Sequence, residues 1–307
     1  GADGFSTNLI KICAPCIAKP ISHIINTCFC TATFPDPLKI AKIVCLYKSG
    51  DHKSIKNYRP IALLSIFSKI IEKCISKRII DFLDKHSVLS KNQYGFKKNA
   101  STSDALVTIC DFIYTHLDKG KKVMAVFADL SKAFDNVDHA ILLERIERYG
   151  IRGECNKLLK SYLEQRRQFV HFDGKNSSLL VSNKGVPQGS VLGPLLFILY
   201  MNNMDQVVPS RHVAFADDIT LLFAEETESK AATKVKGSLC NLSHYLEESN
   251  LVLNSQKSFL MQFFTQSSRY VCSQYIPSIQ QVSSIKSLGL YLDVSLSFED
   301  HVSYIHK

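Results

Sequence analysis

The sequence has little that would tie the chain to a membrane or to secretion. Its longest apolar run, Val191–Met201, is shorter than the ~20 residues that span a bilayer, and we expect no signal peptide. There is also no internal repeat and no low-complexity linker. These absences exclude a helical membrane span and a repeat array, and they favour a globular protein.

Acidic residues are fewer than basic ones, which points to a polyanionic partner. The 307 residues contain 37 Lys and Arg against 28 Asp and Glu, so the net charge is +9 and the pI is about 9.0. Basic side chains that neutralise phosphates release counterions and so stabilise binding to nucleic acids. With 46% hydrophobic residues, the chain can form the core of one large domain or of two.

Ten cysteines leave two interpretations open. Cys13, Cys16, Cys28 and Cys30 would supply four thiolates, enough for a zinc site. However, apolar residues recur at helical intervals through this region, where a free cysteine behaves as a small buried hydrophobe. The other cysteines are scattered, and a reducing intracellular setting is the simplest expectation.

Two adjacent carboxylates, Asp217 and Asp218, follow the apolar run Arg211–Phe215 and precede the run Ile219–Ala224. An isolated Asp-Asp pair is typical of a solvated turn. The β-rich flanks instead predict a β-hairpin with both carboxylates at its turn. Like charges this close repel unless a cation lies between them, and Mg²⁺ prefers such oxygen ligands.

A third carboxylate, Asp129, ends the apolar run Val123–Asp129, which is typical of a buried strand. Because side chains alternate along a strand, Asp217 and Asp218 should face different ways. We therefore expect one of the two to be a primary metal ligand beside Asp129 and the other a secondary one.

Three of these segments resemble the central palm motifs of reverse transcriptases, in the order that family uses. They are Phe127–His139, Gly185–Pro194 and Phe215–Asp218, and their residues are most similar to those of non-LTR (LINE-type) retrotransposons. Further segments resemble the family's fingers, lysine-bearing and primer-grip motifs: Tyr58–Ile61, Lys69–Glu72, Gln93–Phe96, Leu253–Ser258 and Leu288–Asp293. The resemblance extends over essentially all of residues 1–307.

The resemblance implies an α+β fold with the fingers and palm of a right-hand polymerase, in which helices cover an antiparallel palm sheet. The fingers would occupy about residues 1–120 and the palm about residues 121–307. We expect the family's endonuclease and thumb to be absent, as in an excised or degraded segment.

Periodicity and turn residues predict the elements in more detail. Helices are expected over Leu9–Phe29, from Pro60 to His86, and over Ser101–Leu117, Val137–Tyr149, Val191–Met204 and Thr227–Ser249. Strands are expected at Gln168–Phe172 and Leu179–Asn183, which form a hairpin, and near Phe259–Phe264, Arg269–Tyr275 and Ser287–Asp293.

The resemblance also implies a two-metal mechanism with two Mg²⁺ ions. Asp129 and Asp217 would bridge the ions, Asp218 would contribute less, and the backbone carbonyl of Leu130 would complete one site. We assign Asp135 and Asp138 to capping of the following helix instead.

The nucleotide would contact several further residues. Arg59 would bind triphosphate oxygens with its planar guanidinium, and Lys48 would supply a second cation. Gln188 and Gly189 fit a pocket beneath the base and sugar, where glycine allows close approach of the backbone.

Two further side chains have proposed roles in selectivity and catalysis. Phe134 would exclude a ribose 2′-hydroxyl, although packing in the core is the alternative. Lys257 would protonate the leaving pyrophosphate, although a solvated lysine is the alternative there.

The expected function is that of an RNA-directed DNA polymerase of a LINE-type retrotransposon. Its partners would be an RNA template, a DNA primer or nicked target DNA and deoxynucleoside triphosphates, with no membrane. We expect an intracellular protein, cytoplasmic as a ribonucleoprotein and nuclear during integration. Alternatives are a group II intron-like reverse transcriptase and a catalytically silent nucleic-acid-binding remnant. A magnesium phosphatase or nuclease lacks a suitably placed nucleophile or base.

Overall fold

The computed structural model describes residues 1–265 and 279–306. The chain divides into two compact units that are interleaved along the sequence. The first unit contains residues 1–89 and 134–200, and the second contains residues 90–133 and 201–307. The resemblance instead predicts one boundary near residue 120, between fingers and palm. The division into fingers and palm therefore stays a prediction.

The first unit is built on a mixed sheet. Its strands are β1 (Ile40–Tyr47), β2 (Tyr58–Leu63), β4 (Arg166–Phe172), β5 (Lys175–Asn176) and β6 (Leu180–Ser182). Strand β1 pairs antiparallel with β2 and parallel with β4, and β4 pairs antiparallel with both β5 and β6. The pairing of β4 with β6 confirms the hairpin predicted around Asp173 and Gly174.

Helices complete the first unit. They are α1 (Thr7–Thr31), α2 (Ile66–Lys85), α4 (His139–Arg148), α5 (Glu154–Leu163) and α6 (Leu192–Met201). Helix α1 packs against α5, and α5 packs against α4. Helix α6 is apolar throughout, and its residues Leu195–Tyr200 are buried, as expected for a helix that is hydrophobic on all sides.

The second unit contains the sheet that carries the predicted metal ligands. Its strands are β3 (Lys122–Ala128), β7 (Arg211–Phe215), β8 (Asp218–Glu225), β9 (Phe259–Phe263) and β10 (Gln280–Gln281). The order is β10-β9-β3-β8-β7, and all neighbours are antiparallel except β9 and β10. A separate hairpin pairs β11 (Ser284–Ser287) with β12 (Leu290–Asp293).

Four helices belong to this unit: α3 (Thr102–Asp118), α7 (Met204–Val207), α8 (Glu228–Glu248) and α9 (Glu299–Ile305). Helices α3 and α8 lie against the sheet, α7 contacts α8, and α9 contacts β12. Buried side chains of α3 form one core with alternate residues of β3, among them Val123, Ala125 and Phe127. The remaining β3 side chains are buried as well, and α8 contacts both β3 and β8. The central strand is therefore covered on both faces, which explains its continuous apolar sequence.

Several sequence predictions need correction. Residues Tyr58–Leu63 are a strand, and helix α2 begins only at Ile66 after the N-cap Ser65. Strand pairing with β1 therefore prevails over the helical spacing that begins near Pro60. The single strand expected over Ser287–Asp293 is instead the end of one strand, a turn at Leu288 and Gly289, and a second strand.

Two further predictions concern the end of α6 and a strand near residue 270. The helix expected over Val191–Met204 ends at Met201. The strand expected near Arg269–Tyr275 lies outside the described residues. Among the residues that are described, no helix combines the length and the apolar character needed to cross a membrane.

The zinc interpretation of the N-terminal cysteines is wrong. Cys13, Cys16, Cys28 and Cys30 all lie on α1. At 1.5 Å per residue, Cys13 and Cys30 are ~25 Å apart along the helix. They cannot share one ion, and Cys28 is buried as a small hydrophobe.

Candidate active site

The predicted carboxylate hairpin is present in the second unit. Strands β7 and β8 pair with Phe215 opposite Asp218, so Ala216 and Asp217 form a two-residue turn. Ala216 has a positive φ of 58°. This conformation is uncommon for a residue with a Cβ atom, and such residues persist where the surrounding structure holds them.

Gln93 holds this turn from a distant part of the chain. Its buried side-chain oxygen accepts the backbone N–H of Gly95 at 2.7 Å and that of Ala216 at 3.1 Å. The N–H of Tyr94 donates to the carbonyl of Ala214 at 2.8 Å. A Cβ atom at Gly95 would lie 2.4 Å from the nitrogen of Ala216, so only glycine fits there. The Gln93–Phe96 motif thus supports the hairpin directly.

Asp129 and Asp218 face one cavity, because β3 ends where β8 begins. Ala128 pairs with Ile219 across the two strands, so the residues that follow and precede them are neighbours. The cavity has a volume of about 260 Å³ and also admits the exposed side chain of Lys257. Its other lining residues are Phe127, Ala128, Ile219, Thr220, Phe259 and Ile285–Leu288. Asp217, in the turn, does not line it.

A hydrogen-bonded turn fixes Asp129. The side-chain amide of Asn254 donates to Oδ2 of Asp129 at 2.9 Å, and the backbone N–H of Asn254 donates to the Asp129 carbonyl at 2.8 Å. The N–H of Asp129 donates to Oγ of Ser258 at 3.1 Å. That hydroxyl donates to the carbonyl of Asn254 at 2.8 Å.

Leu130 lies opposite Leu253 in an isolated antiparallel bridge. The two bonds of this bridge join Ser131 to Val252 and Asn254 to Asp129. Leu130 and Leu253 are therefore a non-hydrogen-bonded pair, and the carbonyl of Leu130 takes no part in this pairing. That geometry is compatible with the predicted role of the carbonyl as a ligand.

Lys286 is a second cation on the cavity that contains Asp129. Its Nζ lies 4.0 Å from the ring centre of Tyr304 and 5.4 Å from that of Tyr291. A hydrogen bond with Tyr304, followed by the charge of that residue, raises the pKa of Lys286.

The donor set suits a hard divalent cation. Within residues 1–265 and 279–306, no three His, Cys, Asp or Glu side chains converge to form a metal site by themselves. Asp129 and Asp218 nevertheless present carboxylate oxygens to one cavity. Magnesium is commonly held by one or two carboxylates, with substrate phosphates and water completing its coordination. Whether Asp217 is the stronger ligand, as the sequence suggests, stays a prediction.

The turn that contains Gln188 and Gly189 lies in the first unit. The backbone carbonyl of Gln188 accepts the N–H of Ala62 at 2.7 Å. Gly189 has a φ of 107°, and a Cβ atom there would lie 2.8 Å from the carbonyl oxygen of Ala62. The close approach at Gly189 is therefore to the backbone of β2, and the approach to a base and sugar stays a prediction.

Glu72 anchors the same segment from α2. Its side chain is fully buried. One carboxylate oxygen accepts the hydroxyl of Ser68 at 2.7 Å, and the other accepts the N–H groups of Val191 and Leu192 at 2.8 and 3.2 Å. These N–H groups begin α6, where a negative charge is favourable. Burial, with the Glu72 charge as a second cause, raises the pKa of Tyr162.

Phe134 and the nearby aspartates belong to this unit as well. The half-exposed ring of Phe134 stacks on the buried ring of Phe197 with 4.4 Å between centroids. Asp138 is the N-cap of α4, as predicted, and accepts the N–H groups of residues 140 and 141. Asp135 does not cap this helix. It accepts a hydrogen bond from the side chain of Gln188 at 2.9 Å.

The predicted triphosphate ligands are exposed. Arg59 lies on β2 opposite Leu46, and Lys48 directly follows β1. Both occupy the end of the β1–β2 ribbon in the first unit. The carboxylates and Lys257 form a group in the second unit, and Lys48, Arg59, Phe134, Gln188 and Gly189 all belong to the first.

Sequence reasoning missed the polar residues that hold these groups. Gln93 and Asn254 lie within segments that resemble family motifs, and Glu72 ends another, but no role was predicted for any of them. The available signal was the presence of a polar residue inside each motif. Their partners lie too far away in sequence for periodicity to identify them.

Comparisons with known proteins identify the family. Residues 48–292 match the family described as "Reverse transcriptase (RNA-dependent DNA polymerase)". The chain therefore belongs to the reverse transcriptase family.

Similar proteins indicate the kind of mobile element to which the chain is related. The chain is 32% identical over 293 residues to the probable RNA-directed DNA polymerase from transposon X-element of Drosophila melanogaster, which covers 93% of this chain and 32% of that protein. It is 27% identical to the RNA-directed DNA polymerase from mobile element jockey of the same species, over 100% of this chain and 34% of that protein. The resemblance to non-LTR retrotransposons is thus confirmed. The chain spans about a third of the length of these relatives.

Solved structures support the fold. A structure of apo telomerase from Candida tropicalis, truncated from its C-terminal domain, superposes with a TM-score of 0.60 at 14% identity. The match covers 86% of this chain and 55% of that one. At this identity the likeness concerns the fold alone, which is that of a reverse transcriptase with mixed α/β sheets.

Proposed function

We propose that this domain extends a DNA primer on an RNA template by two-metal nucleotidyl transfer, primed at a nick in target DNA. The main observation in favour is the placement of Asp129 and Asp218 at the ends of adjacent strands, on one cavity with Lys257. Membership of the reverse transcriptase family supplies the class of reaction.

Asp129, Asp217, Asp218 and the carbonyl of Leu130 would hold the divalent cations. When bound, two such ions lower the pKa of an attacking hydroxyl and neutralise the charge that develops on phosphate oxygens. The residues of the chain keep the ligands in place. Asn254 and Ser258 orient Asp129, and Gln93 supports the turn that carries Asp217.

Lys257 would transfer a proton from its ε-ammonium group to the leaving pyrophosphate. Its side chain reaches the same cavity as Asp129 and Asp218. Its backbone N–H donates to the carbonyl of Asn254 at 3.0 Å, so the turn that orients Asp129 also places the lysine. General-acid catalysis of this kind contributes ~10²–10⁴ in rate.

The nucleotide would be bound by residues of the first unit. Arg59 and Lys48 would pair with triphosphate oxygens, and Gln188 and Gly189 would lie beneath the base and sugar. Phe134 would exclude the 2′-hydroxyl. Its half-exposed ring, stacked on Phe197, is compatible with such a rigid steric barrier.

The partners would be an RNA template, a DNA primer or target DNA, and deoxynucleoside triphosphates. The net charge of +9 favours such polyanions. We also propose an intracellular location, in the cytoplasm as a ribonucleoprotein and in the nucleus during integration.

The test is primer extension on a poly(rA)–oligo(dT) duplex with dTTP, with and without Mg²⁺. We expect incorporation that requires the cation and that stops when a chelator is added. Binding of the duplex without incorporation would overturn the proposal and favour the catalytically silent remnant.

A further inference from the structure

Asn254 contacts Asp129 twice. Its side-chain amide donates to the carboxylate at 2.9 Å, and its backbone N–H donates to the carbonyl of the same residue at 2.8 Å. A carboxylate accepts hydrogen bonds only, so the amide nitrogen of Asn254 must be the donor. One residue thus determines both the backbone position and the side-chain direction of Asp129.

The asparagine is itself held rigidly. Its carbonyl accepts the hydroxyl of Ser258 at 2.8 Å and the N–H of Lys257 at 3.0 Å. Ser258 is fully buried, and its hydroxyl also accepts the N–H of Asp129 at 3.1 Å. The resulting ring of bonds joins Asp129, Asn254 and Ser258. It leaves Asn254 little freedom to turn away.

The neutral charge of the Asn254 side chain suits a partner of a metal-binding carboxylate. A lysine or arginine in this place would neutralise the Asp129 carboxylate and compete with a bound cation. An aspartate would repel it. A neutral amide donor orients the carboxylate through a charge-assisted hydrogen bond of good geometry while its negative charge is kept. Partners of metal ligands that act in this way typically change metal affinity or activity 10–100-fold when removed.

We infer that Asn254 is a positioning residue that holds the Asp129 carboxylate in the orientation needed to bind a divalent cation. This inference rests on the proposed function of Asp129. It assigns Asn254 no contact with substrate.

The test compares Asn254→Ala with Gln256→Ala, an exposed control in the same turn. Mn²⁺ binding to the protein alone is measured by electron paramagnetic resonance, and the melting temperature Tm by circular dichroism. We expect Asn254→Ala to weaken Mn²⁺ binding about tenfold. The Tm should fall by only about 2 °C, and Gln256→Ala should match the wild type. Unchanged Mn²⁺ binding in Asn254→Ala would overturn the inference, whatever happens to the Tm.

A second variant covers the case in which Asn254→Ala does not fold. Asn254→Asp keeps the size and the backbone bond but cannot donate to Asp129 when ionised. We expect its kcat for primer extension to fall about 10–100-fold, with the KM for dTTP within about twofold of the wild type. Wild-type kcat in Asn254→Asp would show that no donor is needed, and would overturn the inference.

The two proposals fail differently. A wild-type protein that binds Mn²⁺ but never extends a primer contradicts the proposed polymerase. The Mn²⁺ measurement on Asn254→Ala still decides the role of Asn254, because it does not depend on activity.

Discussion

The carboxylate site of the second unit and the Gln188 turn of the first unit are both held by polar side chains that are buried or partly buried, but of different charge. Around Asp129 and the hairpin the supports are neutral: Asn254, Ser258 and Gln93. The turn before α6 is instead held by the fully buried carboxylate of Glu72.

The difference follows from how much negative charge each region already contains. Buried charges are costly unless they are well hydrogen-bonded, and Glu72 accepts three hydrogen bonds, two of them from the N–H groups that begin α6. Near Asp129 and Asp218 a further carboxylate would add repulsion, whereas a neutral group orients without changing the charge. Neutral supports are thus suited to a site of clustered negative charge.

The largest expected effect is the loss of a metal ligand. Asp129→Asn or Asp217→Asn should abolish primer extension while duplex binding is kept or tightened, because an amide cannot hold the cations but reduces repulsion of phosphate. Asp218→Asn should reduce extension less. Asp111→Asn, an exposed change on α3, is the matched control. Residual activity above about one per cent in both of the first two variants would contradict the assignment.

Removing the charged support of the other region should be costly in stability. Glu72→Ala should lower the free energy of unfolding by about 3 kcal/mol, because two buried N–H groups and the Ser68 hydroxyl lose their partner. Glu72→Gln, whose amide oxygen accepts the same N–H groups, should cost only about 1 kcal/mol. Urea denaturation measures both, and equal stability of Glu72→Ala and the wild type would refute the anchoring role.

Phe134→Val tests the proposed sugar filter in the first unit. Opening the space beside Phe197 should lower the ratio of dNTP to rNTP efficiency about a hundredfold, with only a moderate loss of dNTP use. Single-nucleotide kinetics with dTTP and UTP give this ratio. If Phe134 only packs the core, the Tm should fall and both nucleotides should slow in parallel, with the ratio unchanged.

The smallest expected effect comes from placing a charge where the structure has a neutral support. Gln93→Glu keeps an acceptor for the N–H groups of Gly95 and Ala216 but places a carboxylate against the turn that carries Asp217. We expect a loss of about 1 kcal/mol in unfolding free energy at low salt, which shrinks at high salt as the repulsion is screened. Urea denaturation at two salt concentrations checks this. If the variant is as stable as the wild type at low salt, repulsion between carboxylates does not explain why the supports of this site are neutral.

Elements with a strong local pattern could be predicted from the sequence. The buried strand β3, the β7–β8 hairpin and helix α8 all lie close to their predicted positions. Predictions failed where pairing between strands prevailed over the helical spacing of apolar residues. Residues Tyr58–Leu63, for example, are a strand because they pair with β1. The hairpin turn at Leu288 and Gly289 was also missed.

The sequence by itself determined the family, the three carboxylates and their positions at strand ends, because apolar periodicity and motif order are local properties of the chain. Only the tertiary structure decided that Asp129 and Asp218 line one cavity, and which side chains hold Asp129 and the hairpin turn. Gln93 is 123 residues from Ala216, and Asn254 is 125 residues from Asp129. A hydrogen bond between side chains so far apart leaves no periodic signal in the sequence, since it depends on how the strands pack and not on the residues next to it.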